Sequence, residues 1–149
     1  MRYRAAVALT SEQKQTYLSS VPLFAGISAD SMSRLADVAG EQEFAAGQFI
    51  VRQGQVGSGL YVIVGGAVNV VRGADDQLAT LRAGDFFGEL SVIDQQPRNA
   101  SVQAVVPTRT LAVASWDLLD LIESDSNLAL NMIKGLAARI RAQGEQHNH

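Results

Sequence analysis

The sequence contains no cysteine, which removes disulfide staples, thiolate metal ligands and a cysteine nucleophile together. That fits a reducing compartment. Histidine is almost as scarce: His147 and His149 are the only two, both at the extreme end of the chain. A serine–histidine catalytic pair therefore has no base in the body of the sequence. Strong charge of one sign is also missing. The net charge of −3 gives no global basic field to attract nucleic acid. Long apolar runs are absent as well. The stretch 5–9, behind Arg2 and Arg4, is too short for a secretory signal. No segment approaches the ~20 apolar residues that span a bilayer. The cytoplasm is the expected location. Neither a repeat of 20–50 residues nor a low-complexity linker is visible.

What is present suits one domain of 149 residues, long enough to bury roughly 68–70% of the unfolded chain's surface. The expected domain is 10–143, with 1–9 and 144–149 as flexible tails. Thr10 or Ser11 caps a helix to about Ser19, with Tyr17 and Leu18 facing inward. Pro22 breaks the chain. Ser28 caps a second helix through Val38, carrying Met32, Leu35 and Val38 at helical spacing, and Gly40 stops it. From residue 43 to 114 the pattern changes to short β segments. Strands are expected at 43–44, 49–51, 59–64, 67–72, 77–82, 101–104 and 109–114, punctuated by turns at 53–58, 65–66, 73–76 and 107–108. Many short strands with frequent turns predict an antiparallel jelly roll with flanking helices, mainly β within an α+β whole. Ser115 is expected to cap a helix through Ile122. A longer helix follows from 127 to about 143. Its stripe of Leu128, Met132, Leu136 and Ile140, with Ile133 and Ala137 alongside, is expected to pack on the sheet.

The stretch 84–102 organises the rest. Gly84 and Gly88 permit positive φ and close backbone approach around the pair Phe86-Phe87. Residues 89–93 suit a single helical turn whose first amides lack partners and carry partial positive charge, a place for a phosphate. Arg98 can add a forked, charge-assisted contact to the same anion. Glu89 can accept hydrogen bonds from sugar hydroxyls. The set reads as a sugar-phosphate pocket. The alternative is that Glu89 and Arg98 simply pair with each other as a partly buried salt bridge.

Phe86-Phe87-Gly88-Glu89-Leu90, followed by Pro97-Arg98-Asn99-Ala100-Ser101-Val102, resembles the phosphate-binding cassette of cyclic nucleotide-binding domains. These are the modules of the catabolite activator protein, protein kinase A regulatory subunits and cyclic nucleotide-gated channels. Pro22-Leu23-Phe24 and Leu35 resemble the family's first helices. Residues 47–54 and 60–68 resemble two of its strand regions, so the likeness spans roughly 21–141. It implies a jelly-roll barrel with a short phosphate-binding helix and C-terminal lid helices. It also implies that Glu89 binds the ribose 2′-hydroxyl and Arg98 the cyclic phosphate. Gly88, Leu90, Asn99 and Ala100 would line phosphate and ribose, and Val70, Leu78 and Leu81 the base, while also serving as ordinary barrel core. Ile140, Gln143 and Gly144 are candidates to cap the base.

Family frequency points to cyclic AMP as the regulatory ligand, with cyclic GMP as the alternative. Asn99 has a donor and an acceptor and does not separate adenine from guanine. No metal is expected, and no enzymatic turnover. A metal-dependent cupin would present histidines on barrel strands, and none are there. The chain stops near the point where transcription-factor members continue into a dimer helix and a helix-turn-helix. No DNA-binding domain and no membrane segment are therefore expected. Met1 and the polar tail favour a stand-alone sensor read by an effector protein over a regulatory fragment of a larger protein. A nucleotide-independent interaction module on the same fold is the other reading.

Overall fold

The structure is a computed structural model and describes residues 8–57 and 59–147. Helix α1, Ser11–Ser19, opens with a capping box. The Thr10 hydroxyl accepts from the Gln13 amide, and the Gln13 side chain accepts from the Thr10 amide. Leu18 is fully buried, but Tyr17 is 40% exposed. Consecutive helical residues sit about 100° apart, so both could not face one narrow core. A 3₁₀ turn follows at Pro22–Phe24. Helix α2, Ala29–Val38, is capped by Ser28 and buries Leu35 and Ala36, while Val38 lies exposed. Gly40 does not terminate it. Ala39 is the cap, and Gly40 opens strand β1, Gly40–Phe44. The strand expected at 43–44 thus starts three residues earlier, because the polar Glu41 and Gln42 show no apolar pattern.

The remaining strands are β2 (Phe49–Val51), β3 (Gly59–Gly65), β4 (Ala67–Arg72), β5 (Asp76–Arg82), β6 (Phe86–Phe87), β7 (Ser101–Ala104) and β8 (Thr108–Ala114). Their pairing is nested. β4 pairs with β5, β3 with β6, β2 with β7 and β1 with β8, all antiparallel. Cross-pairs β3·β8 and β4·β7 join these into two four-stranded sheets, ordered β1-β8-β3-β6 and β2-β7-β4-β5. A long hairpin folded over on itself in this way is a jelly roll.

Alternation along β3 divides the core. Leu60 and Val62 join Leu111 and Val113 beneath the helices, packed with Leu18, Phe24, Leu35, Leu118 and Leu128. Tyr61 and Ile63 point the other way, to Val68, Phe87 and Val102. Each fully buried side chain contributes about 1.5–3 kcal/mol. Phe87 also stacks on Tyr61, with ring centroids 5.1 Å apart and planes within 11°. That contact fixes β6, and with it the start of the cassette.

Helix α4 spans Ser115–Ser124 and helix α5 spans Ser126–His147, separated by Asp125 alone. Ser115 is the first residue of α4, not its cap. Ala114 holds that position, and the buried Ser115 hydroxyl has no partner among the described residues. The buried Asp125 carboxylate accepts from the amides of Ser28, Asn127 and Leu128. The Ser31 hydroxyl foremost, and then these amides, hold it below the ordinary aspartate range. Asn127 and Asn131 donate to the carbonyls of Gly26, Leu23 and Ala25. The start of α5 is thus pinned to the turn before α2.

The expected stripe on α5 packs only in part. Leu128 and Met132 are buried, whereas Ile133 and Ile140 are 61% and 68% exposed. Four-residue steps advance about 40° around a 3.6-residue helix, so the stripe winds off the core. The helix also continues through Gly144 to His147, beyond the expected end near 143. Residues 1–7 and 148–149 of the expected tails lie outside the described residues.

Candidate functional site

After β5 the chain turns at Gly84 and is laced to β3. The Ile63 amide donates to the Asp85 carbonyl and the Gly84 amide to the Ile63 carbonyl. Strand β6 then delivers Gly88 to the N-cap of α3, Glu89–Asp94, with φ +98°. A glycine cap offers no side-chain acceptor, so the first amides of α3 lack a capping partner there. Space also requires glycine at this point. A Cβ on Gly88 would lie 2.5 Å from Nη1 of Arg98 and 2.7 Å from the Gly59 carbonyl oxygen.

Arg98 is held from both sides by the turn before β3. Its amide donates to the Gln55 carbonyl at 2.8 Å, and its carbonyl accepts from the Gly54 amide at 2.9 Å. Nη2 donates to the Gly59 carbonyl at 3.0 Å. The residue is 8% exposed, and its buried Nε has no hydrogen-bond partner among the described residues. Burial pulls its pKa below the ordinary arginine value, while Tyr61 and Glu89 nearby oppose that shift. The guanidinium therefore stays a cation, buried without a carboxylate bound to it among the described residues.

Glu89 and Arg98 do not pair. Glu89 Oε1 accepts instead from Nη2 of Arg139 on α5, at 2.7 Å. The Glu89 side chain is 12% exposed and that of Arg139 is 48% exposed.

A cavity of about 480 Å³ opens here, within the usual span of ~300–1,000 Å³ for small-molecule sites. Gly88, Glu89, Leu90, Arg98, Asn99, Ala100, Val70, Leu78 and Leu81 all line it, so the structure brings together the residues expected around phosphate, ribose and base wall. Val70 and Leu81 also pack against the inner core, as expected. Leu78 does not; it is 42% exposed on the cavity wall. Ile140, Gln143 and Gly144 do not line the cavity, where α5 contributes Arg139. Among the described residues no group of three His, Asp or Glu is placed to hold a metal.

One wall thus offers a buried cation and open helix amides, a second a carboxylate acceptor, and a third an apolar surface. That combination suits a ligand with one anionic group, hydroxyls and a flat apolar ring. A family profile described as "Cyclic nucleotide-binding domain" matches residues 41–125. The chain belongs to the cyclic nucleotide-binding domain family.

Its relatives in that family include a cAMP-dependent protein kinase regulatory subunit of Schizosaccharomyces pombe. The two are 35% identical over 103 residues, covering 69% of this chain and 24% of that one. The cGMP-dependent protein kinase isozyme 1 of Drosophila melanogaster is 34% identical over 102 residues, covering 64% and 13%. This member therefore spans only a quarter or less of the length of these two relatives. Among solved structures, the Thermus thermophilus catabolite activator protein superposes with a TM-score of 0.78 at 31% identity. The match covers 85% of this chain and 62% of that one. No helix of the described residues is long and apolar enough to cross a membrane.

Two contributors to this cyclic nucleotide-binding fold escaped the sequence reading. Gly57 packs so closely on Arg98 that any Cβ there would overlap the guanidinium. A turn glycine gives no sign of such a role. Arg139 lies about 40 residues beyond the cassette in sequence, and nothing local ties it to Glu89.

Proposed function

We propose that this chain is a sensor that binds a cyclic nucleotide, cyclic AMP in preference to cyclic GMP, and couples occupancy to the docking of α5. The observation that carries this reading is Arg98, a buried cation on the cavity wall that lacks an anionic partner among the described residues. A buried charge is costly unless something neutralises it. A cyclic phosphodiester supplies one negative charge and two exposed oxygens for Arg98 and the α3 amides. Gly88, Leu90, Asn99 and Ala100 surround the phosphate and ribose, and Glu89 accepts the 2′-hydroxyl. Val70, Leu78 and Leu81 cover the base.

The apolar base wall supports adenine. Guanine brings an additional carbonyl and N–H that such a wall leaves without partners. The protein acts by binding, with no turnover. The folded unit expected at 10–143 extends through the end of α5 at His147, and the reader of α5 is an effector protein.

Calorimetric titration of both nucleotides into wild type and Arg98→Ala tests this. Wild type is expected to bind cyclic AMP at micromolar concentration or tighter. The variant is expected to lose tens-fold or more, since a hydrogen bond to a charged group contributes ~1.5–3 kcal/mol. No heat with either nucleotide, together with an unchanged melting temperature, would overturn the proposal. A clear preference for cyclic GMP would overturn the choice of base alone. Amide exchange in α5 that is indifferent to saturating ligand would overturn the coupling.

A further inference from the structure

Strand β1 is the outermost strand of its sheet. β8 pairs with one of its edges, and among the described residues no strand pairs with the other. An open edge presents unpaired amides and carbonyls, which native proteins cover, shorten or charge. The N-terminal chain meets β1 at this strand. The Leu9 amide donates to the Glu41 carboxylate, and the Leu9 side chain packs against the core beneath the helices.

These contacts give the chain a direction. Leu9 is held at Glu41, whereas the Lys14 ammonium, five residues on, donates to the carbonyl of Ala39. The sequence from 9 to 14 therefore travels toward the start of β1, opposite to the strand's own direction. Traced backward from Leu9, residues 1–7 depart toward Glu43 and Phe44.

A groove of about 670 Å³ lies at that end, where the turn after β1 meets the turns that join β3 to β4 and β7 to β8. Phe44, Gly65, Gly66 and Pro107 give it a mainly apolar surface, and its charged residues are Glu43 and Arg109. A Cβ on Gly65 would meet nothing within 4 Å, so the backbone there is an open floor on which a flat ring can lie. Arg109 is shared between the carboxylates of Glu41 and Glu43, so this end of β1 accommodates further positive charge.

Residues 1–7 suit this surface in length and in chemistry. Their sequence is Met1-Arg2-Tyr3-Arg4-Ala5-Ala6-Val7, with no acid, and Tyr3 is the aromatic residue between two arginines. With Leu9 beside Glu41, equal steps along an antiparallel path bring Ala5 level with Ala45. Tyr3 then lies two residues further on, about 7 Å past Ala45 at the rise of an extended chain. That is the position of the groove.

We infer that residues 1–7 run back along the open edge of β1 and seat Tyr3 in this groove, with Arg2 and Arg4 beside Glu43. The chain's own N-terminus then covers both the strand edge and the apolar surface. The inference does not depend on what fills the ligand cavity.

The test uses the full chain carrying Trp116→Phe, which removes the exposed and only native tryptophan, and Tyr3→Trp, which puts an indole at the seat. Emission from position 3 should lie to the blue of a solvated indole, and acrylamide should quench it several-fold less. Adding Gly65→Leu fills the groove and should return both readings to solvent values. In a chain with native Tyr3, Arg2→Glu together with Arg4→Glu should speed exchange of the outward amides of β1 by about tenfold, the scale of one or two surface ion pairs. That double variant alters no described residue, so it decides the matter even where Gly65→Leu fails to fold. A solvent-like indole at position 3 would overturn the inference. So would β1 exchange that the charge reversal leaves unchanged. A blue shift that disappears on dilution, with a dimer's mass by light scattering at high concentration, would also overturn it, because the groove would then hold the N-terminus of a second copy.

Discussion

Gly88 and Arg98 occupy each other's space: a Cβ on the glycine would sit 2.5 Å from the arginine's Nη1. The buried guanidinium can lie flat against the cassette only because this position carries no side chain.

Gly88→Ala should therefore do two things at once. It strains a φ of +98° and displaces Arg98 or the Gly59 carbonyl, for a stability loss of about 2–3 kcal/mol. Gly84→Ala is the control. Its φ is +93°, but nothing lies within 4 Å of the new methyl, so about 1 kcal/mol is expected. Chemical denaturation of the two variants, with nucleotide titration alongside, separates backbone strain from the loss of Arg98. Equal stability and equal affinity in both would refute the argument.

Arg98→Met should separate stability from binding. The side chain gives up one hydrogen bond to Gly59 but removes a buried charge that no carboxylate contacts among the described residues. Replacing such a group by an apolar one of similar shape is often neutral or stabilising, by up to a few kcal/mol. The ligand-free melting temperature should stay level or rise while nucleotide affinity falls tens-fold. A large drop in melting temperature would mean that Arg98 is there for the fold.

Asp125→Asn should destabilise through the junction of α2, α4 and α5. Three amides aim at this carboxylate, and an asparagine must turn a donor toward some of them. The expected cost is about 2 kcal/mol, or roughly 4–8 °C for a chain of this size. The pH dependence follows from the direction of the shift. The folded pKa lies below the ordinary 3.8, so the carboxylate's contribution is present above that value and lost as pH falls through the folded one. The wild-type advantage measured by urea unfolding should be flat at neutral pH and shrink in acid. An advantage that persisted undiminished at the acid end would show that the charge is not responsible.

Local pattern carried much of this fold. β2, β4 and β7 fall at their expected bounds, and β5 begins one residue early, because alternation and turn glycines are properties of neighbours in sequence. The cassette was legible for the same reason, since Gly88, Glu89 and Arg98 lie within one short stretch. β6 was missed because two residues cannot display a period; it exists through pairing with β3 and the stacking of Phe87 on Tyr61. The partner of Glu89 was missed for a different reason. Arg98 was nearby in sequence and of the right charge, whereas Arg139 is brought in by the path of α5. Only the tertiary fold decides between two cations of equal chemistry.

The nesting of the strands also sets an order of assembly. β4 and β5 are joined by a short turn, whereas Gly40 must find Ala112 and Phe44 must find Thr108 across most of the sandwich. Closing the longer loops costs more entropy before any contact repays it, so folding in milliseconds to seconds is expected, from the inner hairpin outward. Pulsed amide exchange should find β4 and β5 protected before β1 and β8. The residues that line the cavity come mainly from the inner strands and the cassette, and the helix carrying Arg139 comes after the last strand. During synthesis, then, a nascent chain would own most of the cavity lining before it owned the helix that carries Arg139 to it.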